Sequence, residues 1–201
     1  ALVCLPCAPC SAVSSARWNL PQVDDYLLDV IAELEQCYRI DRQQVFLLGH
    51  SMGGFGGYHL LQRMSDVFAG FCIGAGTWNY ACWAAAAGTE AWLLQGVNDA
   101  VCFKRKHWTD IEYARRACLG LQRAGVNCVY REHPLGHALW NSRPALREWL
   151  AHIRDVRRDP FHPWVVAVSP RGETVITTGE TDRRGEPIHA PTPAPHCRWI
   201  T

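Results

Sequence analysis

Absences narrow this chain first. None of its 201 residues lies in an apolar run approaching the roughly 20 residues that a membrane-spanning helix needs. The N-terminus carries no basic stretch followed by an apolar one, so no secretory pattern is visible. Net charge is almost nil, with 20 Lys and Arg against 19 Asp and Glu and a pI near 7.7. That leaves no electrostatic case for nucleic acid or an anionic membrane as a partner. Lysine is confined to Lys104 and Lys106, and arginine carries the rest of the positive charge, a bias of genome composition more than of chemistry.

Cysteine is the exception to this sparseness, with 10 in the chain. Cys72, Cys102, Cys118 and Cys128 sit in apolar segments, where free cysteine serves as a small hydrophobe. Cys4, Cys7 and Cys10 have a C-x-x-C-x-x-C spacing that metal and iron–sulfur sites use. Pro6 and Pro9 between them, and the lack of a fourth ligand nearby, argue against such a site. His189, His196 and Cys197 could bind a metal in principle, but a polar tail accounts for them more simply. Neither metal nor cofactor is expected.

What is present is a single substantial core, since 48% of the residues are apolar and the length suits one domain. The organising stretch is Val45–Gly57, Val-Phe-Leu-Leu-Gly-His-Ser-Met-Gly-Gly-Phe-Gly-Gly. Val45–Leu48 has the continuous apolar character of a buried parallel strand. It enters Gly49-His50-Ser51-Met52-Gly53, a G-x-S-x-G pattern, and an amphipathic helix to about Met64 follows. A serine on a sharp strand-to-helix turn is lifted clear of the sheet, near the positive end of the helix. The turn demands small neighbours, a need that Gly49 and Gly53 would meet, while Gly54 would let the helix pack closely.

Taken in order, Ala1–Pro6 reads as a short strand and Pro21–Tyr38 as a surface helix with Val23, Leu27, Val30, Leu34 and Cys37 on one side. Its acidic residues, Asp24 among them, fall mostly elsewhere on the wheel. Val67–Ala75, Ala91–Gly96 and Val126–Arg131 read as further buried strands, and Arg105–Arg123 as a helix closed by Gly125. Asn141 or Ser142 caps a last helix, with Pro144 in its first turn, that runs to about Asp155. Strands alternating with helices predict an α/β fold, a mostly parallel sheet with helices on both faces. The expected division is a catalytic domain over 1–157 and an extension over 158–201, with a hairpin pairing Val165–Val168 and Thr174–Thr177, then an extended tail.

A serine nucleophile needs a base and an orienting acid. Asp99 lies just past the strand Ala91–Gly96, and His137 just past Val126–Arg131, on the sheet edge where ligands bind in open parallel sheets. Asp66, Asp110, Glu132, His50 and above all His133 compete for these roles. Pro134 follows His133 directly, whereas Gly136-His137 supplies a mobile turn.

Ile40-Asp41-Arg42 leading to Val45, Gly-His-Ser-Met-Gly-Gly, Gly96-Val97-Asn98-Asp99 and Gly136-His137-Ala138-Leu139-Trp140 together resemble an α/β-hydrolase esterase. The likeness covers roughly Ala1 to Asp155. It extends to the phospholipase/carboxylesterase, polyhydroxybutyrate-depolymerase-like and prolyl-oligopeptidase-like branches. It implies a Ser51–His137–Asp99 triad, acyl transfer through an acyl-enzyme, and the Met52 N–H as one oxyanion donor. The second donor of such enzymes comes from a loop after the third strand, often His-Gly. No such loop precedes Ser51, so the resemblance implies a chain that begins beyond it, with the first strands missing and the sheet gapped or re-paired. His50, Trp78 and Trp140 are candidate substrate contacts, and the tryptophans, Trp83 included, either line the site or belong to the core. A small uncharged ester is the expected substrate. A prolyl-oligopeptidase-type peptidase and a catalytically weak interaction module are the alternatives.

Overall fold

The computed structural model describes residues 1–9, 18, 22–76, 83–99 and 111–159, and the backbone of 177–181 and 187–189. Four strands, β1 (Phe46–His50), β2 (Gly70–Gly74), β3 (Glu90–Gly96) and β4 (Asn127–His133), form one sheet in the order β1-β2-β3-β4. Every pairing is parallel, and the register sets His50 beside Gly74 and Gly96 beside His133. The helices are α1 (Val23–Cys37), α2 (Met52–Arg63), α3 (Ile111–Arg123) and α4 (Arg143–His152). Parallel strands joined by helical crossovers are covered on both faces. β2 and β3 are accordingly buried along their whole length.

The alternation of side chains along the strands divides the core. Leu47, Phe71, Ile73, Ala91, Leu93 and Cys128 pack with Val23 and Leu27 of α1, with Tyr58, Leu60 and Leu61 of α2, and with Ala117, Cys118 and Leu121 of α3. Phe46, Cys72, Trp92, Leu94 and Val129 face the other way and meet Trp149 of α4. In α3 the buried Ala114, Ala117, Cys118 and Leu121 recur at helical spacing, and Gly125 ends the helix at φ +83°. Past α4 the chain returns to the turn before β1. Gln44 Nε2 donates to the Arg154 and Val156 carbonyls, and Arg157 pairs with Asp41 at 2.7 Å.

Several expectations are corrected. Ala1–Pro6 forms no strand, and Leu5 is 89% exposed, because a strand needs a neighbour and none of the described residues runs beside it. The second strand begins at Gly70 rather than Val67, since the Val67 and Phe68 amides still bond back to the Met64 carbonyl as α2 ends. Asp24 of α1 is buried, because α1 packs where Arg63 of α2 reaches it at 2.7 Å. Removing one partner of such a buried pair costs about 3–5 kcal/mol. α3 is described from Ile111, and 105–110 lie outside the described residues. In the tail, β5 (Thr177–Thr181) pairs antiparallel with β6 (Pro187–His189); the expected hairpin of Val165–Val168 with Thr174–Thr177 lies, Thr177 apart, outside the described residues. Pro187 opens its strand, a position where the missing N–H is tolerated.

Candidate active site

Ser51 stands between β1 and α2 at φ 57°, ψ −115°, one of two described non-glycine residues at positive φ. Such a conformation costs about 1–3 kcal/mol and persists only where the surroundings enforce it. Here the Ser51 N–H donates to the Gly74 carbonyl at 2.9 Å, and its own carbonyl accepts the first bond of α2, from Phe55. A Cβ on Gly49 would lie 2.1 Å from the Gly53 oxygen, and one on Gly54 would lie 2.4 Å from the Gly74 oxygen. Gly53 differs from expectation, because a Cβ there would meet nothing within 4 Å. The tight turn therefore depends on Gly49 and Gly54.

Two loops at the same sheet edge complete the cluster. Asp99 follows β3 and is 0% exposed; His137 follows β4. His137 Nδ1 lies 2.7 Å from Asp99 Oδ2, and its Nε2 lies 2.8 Å from Ser51 Oγ. A carboxylate accepting from Nδ1–H leaves Nε2 with its lone pair free, so the serine hydroxyl donates to it.

The acid and base loops hold each other. The Val97 and Asn98 amides donate to the His133 and Leu135 carbonyls, and Asn98 Nδ2 donates to the Pro134 carbonyl at 2.6 Å. From the far side, Asn141 Nδ2 donates to the Gly136 carbonyl at 2.9 Å. Gly96 allows this closeness, since a Cβ there would sit 2.6 Å from the Leu135 oxygen. The sequence marks Asn141 as a helix cap and Gly96 and Asn98 as parts of a motif, and none of the three as a clamp between these loops. The available signal was the turn chemistry of Asn and Gly beside a strand end.

The other candidates fall as follows. His133 Nε2 lies 3.1 Å from Ser142 Oγ, and burial lowers its pKa. That contact engages it away from Ser51. Burial, then the neighbouring His137, lowers the pKa of His50, whose ring centroid is 5.1 Å from that of His137. Met52 opens α2, and its amide precedes the first intrahelical bond. Trp140 is 72% exposed in the short turn Leu139–Ser142. Trp83 packs on Tyr58 and into the space over Gly120, so it belongs to the core. Trp78 lies outside the described residues. Among the described residues no group of three or more His, Cys, Asp or Glu is arranged to hold a metal, and no helix is long and apolar enough to cross a membrane.

A family model described as Serine aminopeptidase, S33 matches residues 11–94, a stretch that contains Ser51 and stops short of Asp99 and His137. A thermostable esterase superposes with a TM-score of 0.58 at 18% identity, over 68% of this chain and 37% of its own. Arabidopsis thaliana SOBER1 does so at 0.50 and 19% identity, over 65% of this chain and 62% of its own. The Agrobacterium tumefaciens protein Atu2452, of unknown function, gives 0.54 at 15% identity over 74% and 76%. The chain thus spans less than two thirds of the length of the two named first. No curated protein matches it. The chain has the α/β-hydrolase fold, in a part that holds four parallel strands among the described residues.

Proposed function

We propose that this chain carries the active site of a serine hydrolase that cleaves a small carboxylic ester through an acyl-enzyme. The observation that supports it is the continuous relay of 2.8 Å and 2.7 Å contacts from Ser51 through His137 to Asp99, drawn from three loops. In this reading His137 takes the proton of Ser51 as the oxygen attacks the acyl carbon, and Asp99 holds the ring tautomer and steadies the imidazolium. His137 then protonates the leaving alcohol. Water attacks the acyl-enzyme by the same route and releases the acid. The Met52 amide donates to the developing oxyanion. A donor of this kind is worth about a hundredfold to a thousandfold in turnover.

The match to a serine aminopeptidase model favours a second reading, cleavage of an aminoacyl bond. A free α-amino group calls for an anionic anchor beside the serine. In Gly49–Gly57, Gly96–Asp99 and Pro134–Ser142 the one acidic residue is Asp99, which is buried and bonded to His137. Those loops instead expose Met52, Val97, Leu135 and Trp140, which suit an uncharged acyl or aromatic group. Acyl-naphthyl esters and aminoacyl amides are the deciding pair of substrates. Ester hydrolysis lost in Ser51→Ala supports the proposal; cleavage of the amides with the esters untouched overturns it in favour of the peptidase.

A further inference from the structure

His50 is the last residue of β1, so its side chain falls on the face opposite Gly49 and away from α2. Its register partner is Gly74, and a Cβ there would lie 3.2 Å from His50 Nδ1. The missing side chain lets the imidazole lean across β2 until it underlies His137, with centroids 5.1 Å apart and planes 48° apart. Its Nδ1 is buried without a hydrogen-bond partner. One ring therefore packs the strand that presents Ser51 against the loop that presents His137. Asn98 ties that loop from the acid side and Asn141 from the turn before α4, and His50 packs it against the nucleophile strand.

We infer that His50 is a positioning residue for the base: its ring sets the plane of the His137 imidazole, so that Nε2 of His137 stays on Ser51 Oγ. The inference rests on the serine-hydrolase reading and reassigns His50 from substrate contact to support of the base. The groups that face it are His137 and His133 from the loop and strand on the β4 side, and Asp99 from the loop after β3; Gly74 of β2 brings no charge. Neutrality suits this role, because a charged His50 would stand against the imidazolium that forms on His137. Burial favours that neutral form.

Three substitutions and one neighbour test it. His50→Phe keeps a ring, whereas His50→Gln and His50→Ala lose it. Misplacing a catalytic group by about 1 Å costs on the order of a hundredfold. We expect His50→Ala to lower kcat about a hundredfold with KM within about twofold, His50→Gln to fall nearly as far, and His50→Phe to recover part of that loss. The far-downfield proton resonance of the His137–Asp99 hydrogen bond should shift or broaden in His50→Ala while the thermal midpoint holds. Gly74→Ala, which presses a methyl on Nδ1 and leaves His50 intact, should lower kcat in the same sense. A raised KM with kcat preserved would mean that His50 contacts substrate, and wild-type kinetics in all three variants would remove it from the mechanism. A wild type that turns over no ester sinks the serine-hydrolase reading itself; a competent wild type with indifferent His50 and Gly74 variants sinks this inference alone.

Discussion

β3 has a buried carboxylate paired with an imidazole at each end. At its start Glu90 lies 2.7 Å from His152; past its finish Asp99 lies 2.7 Å from His137. Distance does not distinguish them. Company does. Glu90 also accepts from Trp92 Nε1 and Asn127 Nδ2, and His152 is half in water at the end of α4. At the other end the imidazole turns its second nitrogen to Ser51, a serine held in a backbone conformation that nothing but its turn explains. The Glu90 pair pins a helix to a strand, whereas the Asp99 pair has a hydroxyl to act on. An acid–base pair is thus a tie until a third group, placed at some cost in strain, gives it a proton to move.

The sharpest way to break this comparison is to neutralise each carboxylate in turn. Asp99→Asn should lower kcat about ten-thousandfold, because the amide favours the wrong tautomer of His137. Glu90→Gln should leave kcat within about twofold and lower stability by about 1.5–3 kcal/mol, the worth of a hydrogen bond to a charged group. Parallel ester assays and denaturant titrations of the two variants read both effects, and equal kinetic losses would erase the distinction between the two ends.

The turn at Ser51 can be tested next. Gly49→Ala places a methyl 2.1 Å from the Gly53 oxygen and should abolish activity or folding; Gly53→Ala meets open space and should fold, keep activity and gain about 0.4–1 kcal/mol. Soluble yield, circular dichroism and an ester assay check the pair.

A third test lies away from both ends, where His59 is buried between α1 and α2. Burial, helped by the nearby Arg63, lowers its pKa from 6.5 to about 4. The unfolded chain binds that proton more readily, so stability is full above pH 6.5 and falls as pH drops toward 4, by up to about 3 kcal/mol. Chemical denaturation across that window should show the loss, and His59→Asn should flatten it. The smallest effect is expected at the clamp between the loops. Asn98→Ala gives up the bond to the Pro134 carbonyl, worth about 1 kcal/mol, and should lower kcat about fivefold with the fold intact.

Much of this architecture is legible in the sequence, and what is not has a physical cause. The run Ala91–Gly96 reads as a strand because a strand buried on both faces has no polar side to blur it. Val45–Leu48 has the same apolar run, yet β1 is the edge of the described sheet and leaves Leu48 48% exposed instead of buried as expected. That three separated loops share one sheet edge follows from parallel connectivity, which brings every strand's carboxyl end to one rim. Asp24 misleads because an acidic residue on a helix signals solvent until Arg63, 39 positions on, is known to face it. Asn98 and Asn141 clamp carbonyls of Pro134 and Gly136, contacts between segments that no local pattern encodes. Ala1–Pro6 has strand-like residues, yet strands are made by neighbours and not by propensity alone.

Covalent capture reads directly whether Ser51 is a nucleophile that His137 activates. The folded wild-type chain treated with a fluorophosphonate, digested and mapped by mass should carry the phosphonyl group on the peptide holding Ser51, and Ser51→Ala should carry none. A folded wild type that stays unlabelled, or a label that persists in Ser51→Ala, would contradict it.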